Sequence, residues 1–383
     1  MMTTDFRQTS LDNWSERIAE LASGPDDTAL LEECEIKEIG DGNLNDVHRL
    51  SRKGDEGMSL IKKHAPPYIK CLGPDYPLST SRSKLEYHAL ESFYTYAPGS
   101  VPKVYGHNAQ RCSFFMEDLK GYGVMKKQLI EGELNLEAAM KIVQFISDVH
   151  RKTTVLSLGE QEFLQLKKGF ENTEMVSLAR DYIFTKPFTR GDPTNRCSPE
   201  VTDHLSVIYD DAKVLENATE LRTIFLEKKD CLLHGDLHTG SIMTKGSDAK
   251  MIDLEFAFVG PMGFDIALLL ANYLFSYHAH RCSRAKDGQN FHHRVHEVVL
   301  RSISGYFGDA ESRISRSEFE TLLREVAGFT GCELVRRIIG AAHVEDLDGN
   351  PDAEITCLKL GATLISGYET VSSLDGIQRI LGL

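Results

Sequence analysis

The stretch HGDLHTGSIMTKGSDAKMIDLEFAF runs from His234 to Phe258 and sets acidic residues directly behind short apolar runs. Leu232-Leu233 leads into His234-Gly235-Asp236, and Met251-Ile252 leads into Asp253-Leu254-Glu255. Each apolar run reads as a brief strand ending in a polar turn. A carboxylate at a strand end, flanked by glycine and leucine, is placed to accept a hydroxyl proton as that oxygen attacks a phosphoryl group. Asp236 is the candidate; the alternative is an Asp that caps a turn. In an extended chain residues i and i+2 share a side. Asp253 and Glu255 are therefore expected to present two carboxylates to one place, with Leu254 turned into the core. Two carboxylates, together with nucleotide phosphates and water, suit Mg²⁺. The alternative there is a solvated turn.

Upstream, EIGDGNLND (Glu38–Asp46) is a glycine-bearing turn between strand-like runs. Such a turn can bring backbone N–H groups near phosphates, although Gly40 and Gly42 also suit an ordinary hairpin. Lys62-Lys63 ends the following strand, and one of the two is expected to reach the nucleotide phosphates. Glu86, on a predicted helix, is the candidate ion-pair partner for that lysine. Downstream, Arg336-Arg337 lies in the otherwise apolar ELVRRIIGAAHVEDL. Adjacent helical residues point about 100° apart, so the two are expected to do different jobs: one on substrate or phosphate, the other on a structural carboxylate. A plain helix-end charge pair is the alternative. His234, Asp236 and His238 also permit a metal-dependent hydrolase, a reading that leaves the glycine turn, Lys63 and the Asp-x-Glu pair unexplained. The group His278, His280, His292, His293 and His296 also holds metal-binding side chains, but with charged neighbours and irregular spacing it is expected on a solvated helix and loop.

At 383 residues the chain is long enough for about two domains. Short strands dominate up to Leu119, and CSFFMEDL (112–119) is the last of them before helical spacing takes over. Helices are predicted at 134–150, 200–228, 262–278, 316–328, 332–344 and from 354 onward, with brief strands at CLLHGD, SIMT and KMIDLE. The polar segment 157–200 is expected as an irregular linker or lid. The fold class is α+β: a strand-rich lobe over 1–118 and a larger helical lobe over 119–383, with the active site expected between them. A formal charge of −14 speaks against a nucleic-acid backbone as partner. The eight scattered cysteines contain no C-x-x-C and suggest neither zinc nor disulfides. Neither a signal peptide nor a membrane span is evident, so a cytoplasmic location is expected.

With these residues assembled, the sequence resembles the 5-methylthioribose kinases, a branch of the choline-kinase and aminoglycoside-phosphotransferase superfamily. The likeness covers most of the chain and rests on EIGDGNLN, PPYIK, MEDL, LLHGDLHTGSIM, EFAFVGPMGFD and RRIIGAAHVED. Protein kinases carry H-R-D-L-x-x-x-x-N, whose Asp is matched by Asp236; choline and aminoglycoside kinases also keep that Asn, where this chain has Ser241. If Glu255 supplies a second carboxylate, no Asn is required at 241.

The resemblance implies a protein-kinase-like fold with ATP in the cleft. It further implies Mg²⁺-dependent transfer of the γ-phosphoryl group to the 1-hydroxyl of 5-methylthioribose, in methionine salvage. By matched position, Asp236 would be the catalytic base, assisted by Arg336, and Asp253 and Glu255 the metal ligands. Gly42, Asn43, Asn45 and Lys63 would hold the nucleotide, with Met116, Glu117, Asp118 and Leu119 forming the hinge that binds adenine. Arg336, Arg337 and Tyr76 would join Asp236 at the substrate. The family implies a homodimer. This chain departs from the pattern at Leu254, where proline is usual, at Tyr76, where tryptophan is common, and at Asp46 and His48. A kinase for another small hydroxyl substrate (choline, homoserine or aminoglycoside type) and an ATP-binding regulator without catalysis are the competing readings.

Overall fold

The alternation in MSLIKKH (58–64) sorts one strand into two faces. Met58 and Leu60 join Cys34, Leu50, Phe115 and Trp14 in an apolar cluster, while Ser59, Ile61 and Lys63 take the other face and are also buried. Fully burying side chains such as Leu50, Leu60 and Phe115 stabilises by about 1.5–3 kcal/mol each. The computed structural model describes Trp14 and residues 32–39, 44–70, 73–283, 290–310 and 314–382. It divides into two compact units, Met1–Gly121 with Asp253–Glu255, and Tyr122–Ile252 with Phe256–Leu383.

The first unit is built on an antiparallel sheet of β1 (Cys34–Glu38), β2 (Asp46–Arg52), β3 (Asp55–His64), β4 (Val104–Asn108) and β5 (Ser113–Glu117). The spatial order is β1-β2-β3-β5-β4. Lys63 stands opposite Val47 on one side and Phe114 on the other, inside the sheet rather than at its edge. Helix α1 (Arg82–Tyr96) packs on β4 and β5 and buries Glu86, Ala89, Leu90 and Phe93.

The second unit holds β6 (Gly123–Val124), α2 (Leu136–Lys152), α3 (Ala212–Glu227), β7 (Cys231–Leu233), β8 (Ile242–Lys245), β9 (Asp248–Met251) and β10 (Phe258–Gly260). Helices α4 (Phe264–Cys282), α5 (Phe291–Ala310), α6 (Arg316–Ile339) and α7 (Pro351–Gly367) follow. β6-β8-β9 form one small sheet and β7-β10 another, both antiparallel. Asn135 caps α2 through the Ala138 N–H, Asp211 caps α3, and Ser315 with Glu318 forms a capping box on α6.

The α+β class expected from the sequence is the one observed, with four corrections to its elements. The predicted break between 328 and 332 is absent: α6 is continuous, and its glycines serve packing. A Cβ on Gly331 would meet Ile365 and the Gly361 carbonyl, and one on Gly361 would meet Val335, so paired glycines bring α6 and α7 together. Segment 157–200 is largely helical, over Glu160–Gly169 and Thr173–Ala179 and then a π turn over Arg180–Thr185, because Phe163, Phe170, Met175, Ile183 and Phe184 are buried. The helix expected from 200 begins only at Ala212, after two short turns. His278 and His280 are buried rather than solvated, since α4 is apolar all round and covered on every face. Among the described residues no helix is long and apolar enough to cross a membrane.

Candidate active site

In the first unit, Lys63 is the centre of a buried charge set. Its Nζ donates to Glu86 Oε1 at 2.7 Å and to Asp253 Oδ1 at 2.6 Å. Of the two adjacent lysines the strand register turns Lys63 to α1, while Lys62 lies over the Phe115 ring. Burial alone would lower the Lys63 ammonium, but Asp253, Glu86 and Glu255 together raise it above its ordinary value.

Glu255 is held from a second direction. Asn45 Nδ2 donates to Glu255 Oε2 at 2.5 Å, Asn45 Oδ1 accepts from Arg82 Nε at 3.0 Å, and Arg82 Nε is 3.9 Å from Glu255. Arg82 also donates to the backbone carbonyls of Leu44, Pro66 and Ser79. One buried guanidinium therefore ties the segment after the glycine turn to the start of α1 and to Glu255. The sequence reading did not single out Arg82; an arginine opening a helix carries no mark of burial. Burial raises the Glu255 carboxyl above the usual range, Asp253 adding to it against Lys63, Asn45 and Arg82.

Asp253, Glu255 and Leu254 are not extended, which corrects the geometric basis on which the two carboxylates were paired. Asp253 has φ +63°, and Leu254–Phe256 is a turn of 3₁₀ helix. The left-handed residue followed by the tight turn brings both carboxylates to the Lys63 set in spite of that, with Leu254 fully buried. The set counts three carboxylates (Glu86, Asp253, Glu255) against two cations (Lys63, Arg82). Asp253 is 46% exposed. Hard oxygen donors with a surplus of negative charge fit a Mg²⁺ ion. Among the described residues no group of three or more His, Cys, Asp or Glu could enclose a metal. A Mg²⁺ ion bound here would draw its other ligands from water and phosphate oxygens, its usual habit in kinases.

The remaining candidates of this unit fall elsewhere. Gly42 and Asn43 lie outside the described residues. The Asn45 side chain is engaged at both ends by Glu255 and Arg82. Met116 and Glu117 close β5, and Asp118 accepts from Arg49 and from Ser59 Oγ at 2.6 Å, which fixes the chain just after the sheet. Leu119 is buried. Tyr76 sits on a turn closed by its own N–H to Gly73 and by the Ile69 N–H to its carbonyl, with the residue 51% exposed.

In the second unit, the loop after β7 is fastened before it presents Asp236. The N–H groups of His234 and Gly235 both donate to Asp265, at 2.7 and 2.9 Å. Asp265 lies in the first turn of α4, and an acid inside the most apolar segment of the chain was a usable signal. His234 is fully buried and neutral: burial lowers it, its Nε2 donates to the Ile252 carbonyl, and its Nδ1 accepts from the Asp236 N–H. Metal ligation by His234 has no geometric basis, both ring nitrogens being spent.

Asp236 itself is about one-quarter exposed. Arg336 Nη2 lies 3.5 Å from its Oδ1, and His238 Nε2 lies 3.6 Å from its Oδ2. The Gly240 N–H donates to His238 Nδ1, so in the neutral ring the proton sits on Nε2, facing Asp236 and Ser241 Oγ. Against the upward pull of burial, His238 and then Arg336 and Arg337 hold the Asp236 carboxyl far below the usual range. The two arginines do not divide their work as expected. Both bond the same buried carboxylate, Glu333: Arg336 Nε at 2.5 Å and Arg337 Nε at 2.9 Å. Sequence reasoning missed Glu333, although a lone acid three and four residues ahead of two arginines on a helix is a legible pattern.

Residues 35–289 match the model of the phosphotransferase enzyme family. A curated methylthioribose kinase from Geobacillus sp. (strain WCH70) is 36% identical over 365 residues, covering 90% of this chain and 89% of its own. The methylthioribose kinase of Bacillus cereus (strain AH820) is 35% identical over 350 residues, covering 87% of each chain. Among solved structures, a choline kinase from Cryptosporidium parvum aligns over 97% of this chain and 94% of its own at 12% identity, with a TM-score of 0.47.

Proposed function

The chain belongs to the phosphotransferase enzyme family and, within it, to the methylthioribose kinases, and from that premise we propose that it transfers the γ-phosphoryl group of ATP to the 1-hydroxyl of 5-methylthioribose. The observation that carries the reading is relatedness along nearly the whole chain, to relatives of one activity. The local geometry supports it with a buried lysine–glutamate pair and a fastened carboxylate loop, both parts of the phosphoryl-transfer apparatus.

In this reading Asp236 orients the attacking hydroxyl and takes its proton as the new P–O bond forms. Its depressed affinity for protons keeps it ionised, so it serves as an aligned acceptor, the Asp265 anchor fixing its backbone. Lys63, set by Glu86, binds the nucleotide phosphates. Residues 116–119 bind adenine through backbone groups, and Tyr76 and the Arg pair meet the sugar or the phosphoryl group. Asp253 and Glu255 would hold Mg²⁺, which supplies neutralisation of the phosphate charge. A homodimer in the cytoplasm, acting in methionine salvage, belongs to the same reading, as does an amino-terminal nucleotide lobe over 1–118. The test is a substrate panel: purified protein, Mg²⁺ and ATP with 5-methylthioribose, choline, homoserine or an aminoglycoside, read by product mass. A phosphorylated product from methylthioribose is expected; turnover confined to another acceptor would overturn the substrate.

A further inference from the structure

We propose that Glu333 is a positioning residue for phosphoryl transfer. Its single carboxylate gathers Arg336 and Arg337 into one cradle for the anionic phosphoryl group beside Asp236. The proposal rests on the kinase reading above.

Consecutive helical side chains diverge by about 100° and two guanidinium groups repel, so Arg336 and Arg337 would not converge unaided. Glu333 lies three residues before one and four before the other on α6, within reach of both. Each of its oxygens takes one Nε. Glu333 is fully buried, so its low-dielectric surroundings strengthen both bonds and make an unpaired state costly. Bonding through Nε fixes the plane of each guanidinium and with it the direction of its terminal nitrogens. One of them, Arg336 Nη2, reaches toward Asp236. Glu333 also adds to the pull that raises the Arg337 guanidinium against the effect of burial.

The charges explain why a carboxylate is useful here. Arg336 and Arg337 are balanced by Glu333 and Asp236, so the resting group is neutral. When Asp236 takes the hydroxyl proton, one net positive charge remains. The cradle thus gains its attraction for the phosphoryl group as transfer proceeds, and stabilises the transition state more than bound substrate. Replacing Glu333 by a neutral group leaves the pair positive from the start and frees one arginine, since an amide has a single carbonyl oxygen.

The test is steady-state kinetics of Glu333→Gln and Glu333→Asp, with ¹H–¹⁵N spectra of the arginine Nε–H groups assigned through Arg336→Lys and Arg337→Lys. In wild type, two slowly exchanging Nε–H signals are expected from the arginine pair. Glu333→Gln should lose at least one of them and lower kcat by about 10- to 100-fold, as misplacement on the order of 1 Å does, with KM for ATP unchanged. Glu333→Asp, which keeps the charge, should recover part of kcat. A folded Glu333→Gln with kcat within threefold of wild type, or with both signals intact, overturns the proposal. If that variant does not fold, Glu333→Asp decides: full activity with only one protected signal is the refuting outcome. Absence of protected signals in wild type also refutes it. The spectra need no sugar, so a wrong acceptor in the kinase reading would show as missing turnover while the arginine signals still report on Glu333.

Discussion

Gly235→Ala should cost far more than a methyl group usually does. Gly235 has φ +85°, a backbone state that costs a Cβ-bearing residue about 1–2 kcal/mol. A Cβ built there would sit 2.2 Å from the Phe256 carbonyl oxygen, 2.7 Å from its carbon and 3.1 Å from its Cβ. Real Cβ contacts keep 3.0 Å, so the backbone must open by about 0.8 Å, an overpacking worth roughly 1–3 kcal/mol. Alanine also restricts the unfolded chain, which returns about 0.4–1 kcal/mol. The net expectation is a loss of about 1–5 kcal/mol. The route of relaxation matters too, because the Gly235 and His234 N–H groups share Asp265, and moving either displaces the backbone of Asp236. A displacement of that size is expected to lower kcat about 10²-fold. Urea unfolding at unchanged m, with kcat measured alongside, checks both numbers. A stability change below about 0.5 kcal/mol with normal kcat would refute the reasoning, because it would mean that the loop carries Asp236 without the close backbone approach.

Asp236→Asn should lower kcat by about 10²–10⁴-fold while ATP binding measured by calorimetry persists; an unchanged rate would remove Asp236 from proton transfer. Lys63→Met leaves Glu86 buried without its cation and should cost about 3–5 kcal/mol in urea unfolding, much of it restored by adding Glu86→Leu. Asp346 is 3% exposed, with Oδ1 lacking a hydrogen-bond partner, and burial pushes its carboxyl up to about 6 from 3.8. Because the folded value is the higher one, the fold is undisturbed below the unfolded value and loses stability as pH rises through the folded one, by about 3 kcal/mol at most. Asp346→Asn should therefore stabilise above pH 6 by roughly 1–3 kcal/mol and lose that gain near pH 4, as followed by unfolding at both pH values.

The sequence disclosed those features that depend on local order. The strand alternation around Lys63 and the helical step to Glu86 are both short-range patterns, and the structure pairs the two side chains at 2.7 Å. What it concealed depends on partners far along the chain. The break predicted between 328 and 332 falls at Gly328 and Gly331, whose packing partners, Leu221 in α3 and Gly361 in α7, belong to other helices and leave no mark on the local sequence. His278 and His280 read as solvated because burial on every face of α4 is a property of its neighbours, and a histidine can be buried once its surroundings are apolar or, as for His280 with the Leu129 carbonyl, bonded. Glu333 was legible and overlooked: the two arginines drew attention as separate charges, whereas one acid at helical spacing from both fixes them as a unit.

Ser241 and the Asp253-Leu254-Glu255 run are the two places where the stretch after Asp236 departs from the protein-kinase pattern H-R-D-L-x-x-x-x-N followed by D-F-G. Ser241 is buried, its hydroxyl faces His238 Nε2 at 3.3 Å, and its carbonyl accepts from the Ile252 N–H. It is thus engaged in holding the loop and the ring beside Asp236. Glu255, in turn, is fixed by Asn45 with Arg82 rather than by an extended strand. Proline between the two carboxylates would stiffen the backbone through its ring; Leu254 achieves a comparable restraint through a fully buried side chain that anchors the turn after the left-handed Asp253. Backbone strain of this kind persists only where the surroundings over-determine it. The buried leucine, the Lys63–Asp253 bond and the Asn45–Glu255 bond are restraints of that kind, and they make the run a shaped carboxylate pair in its own right.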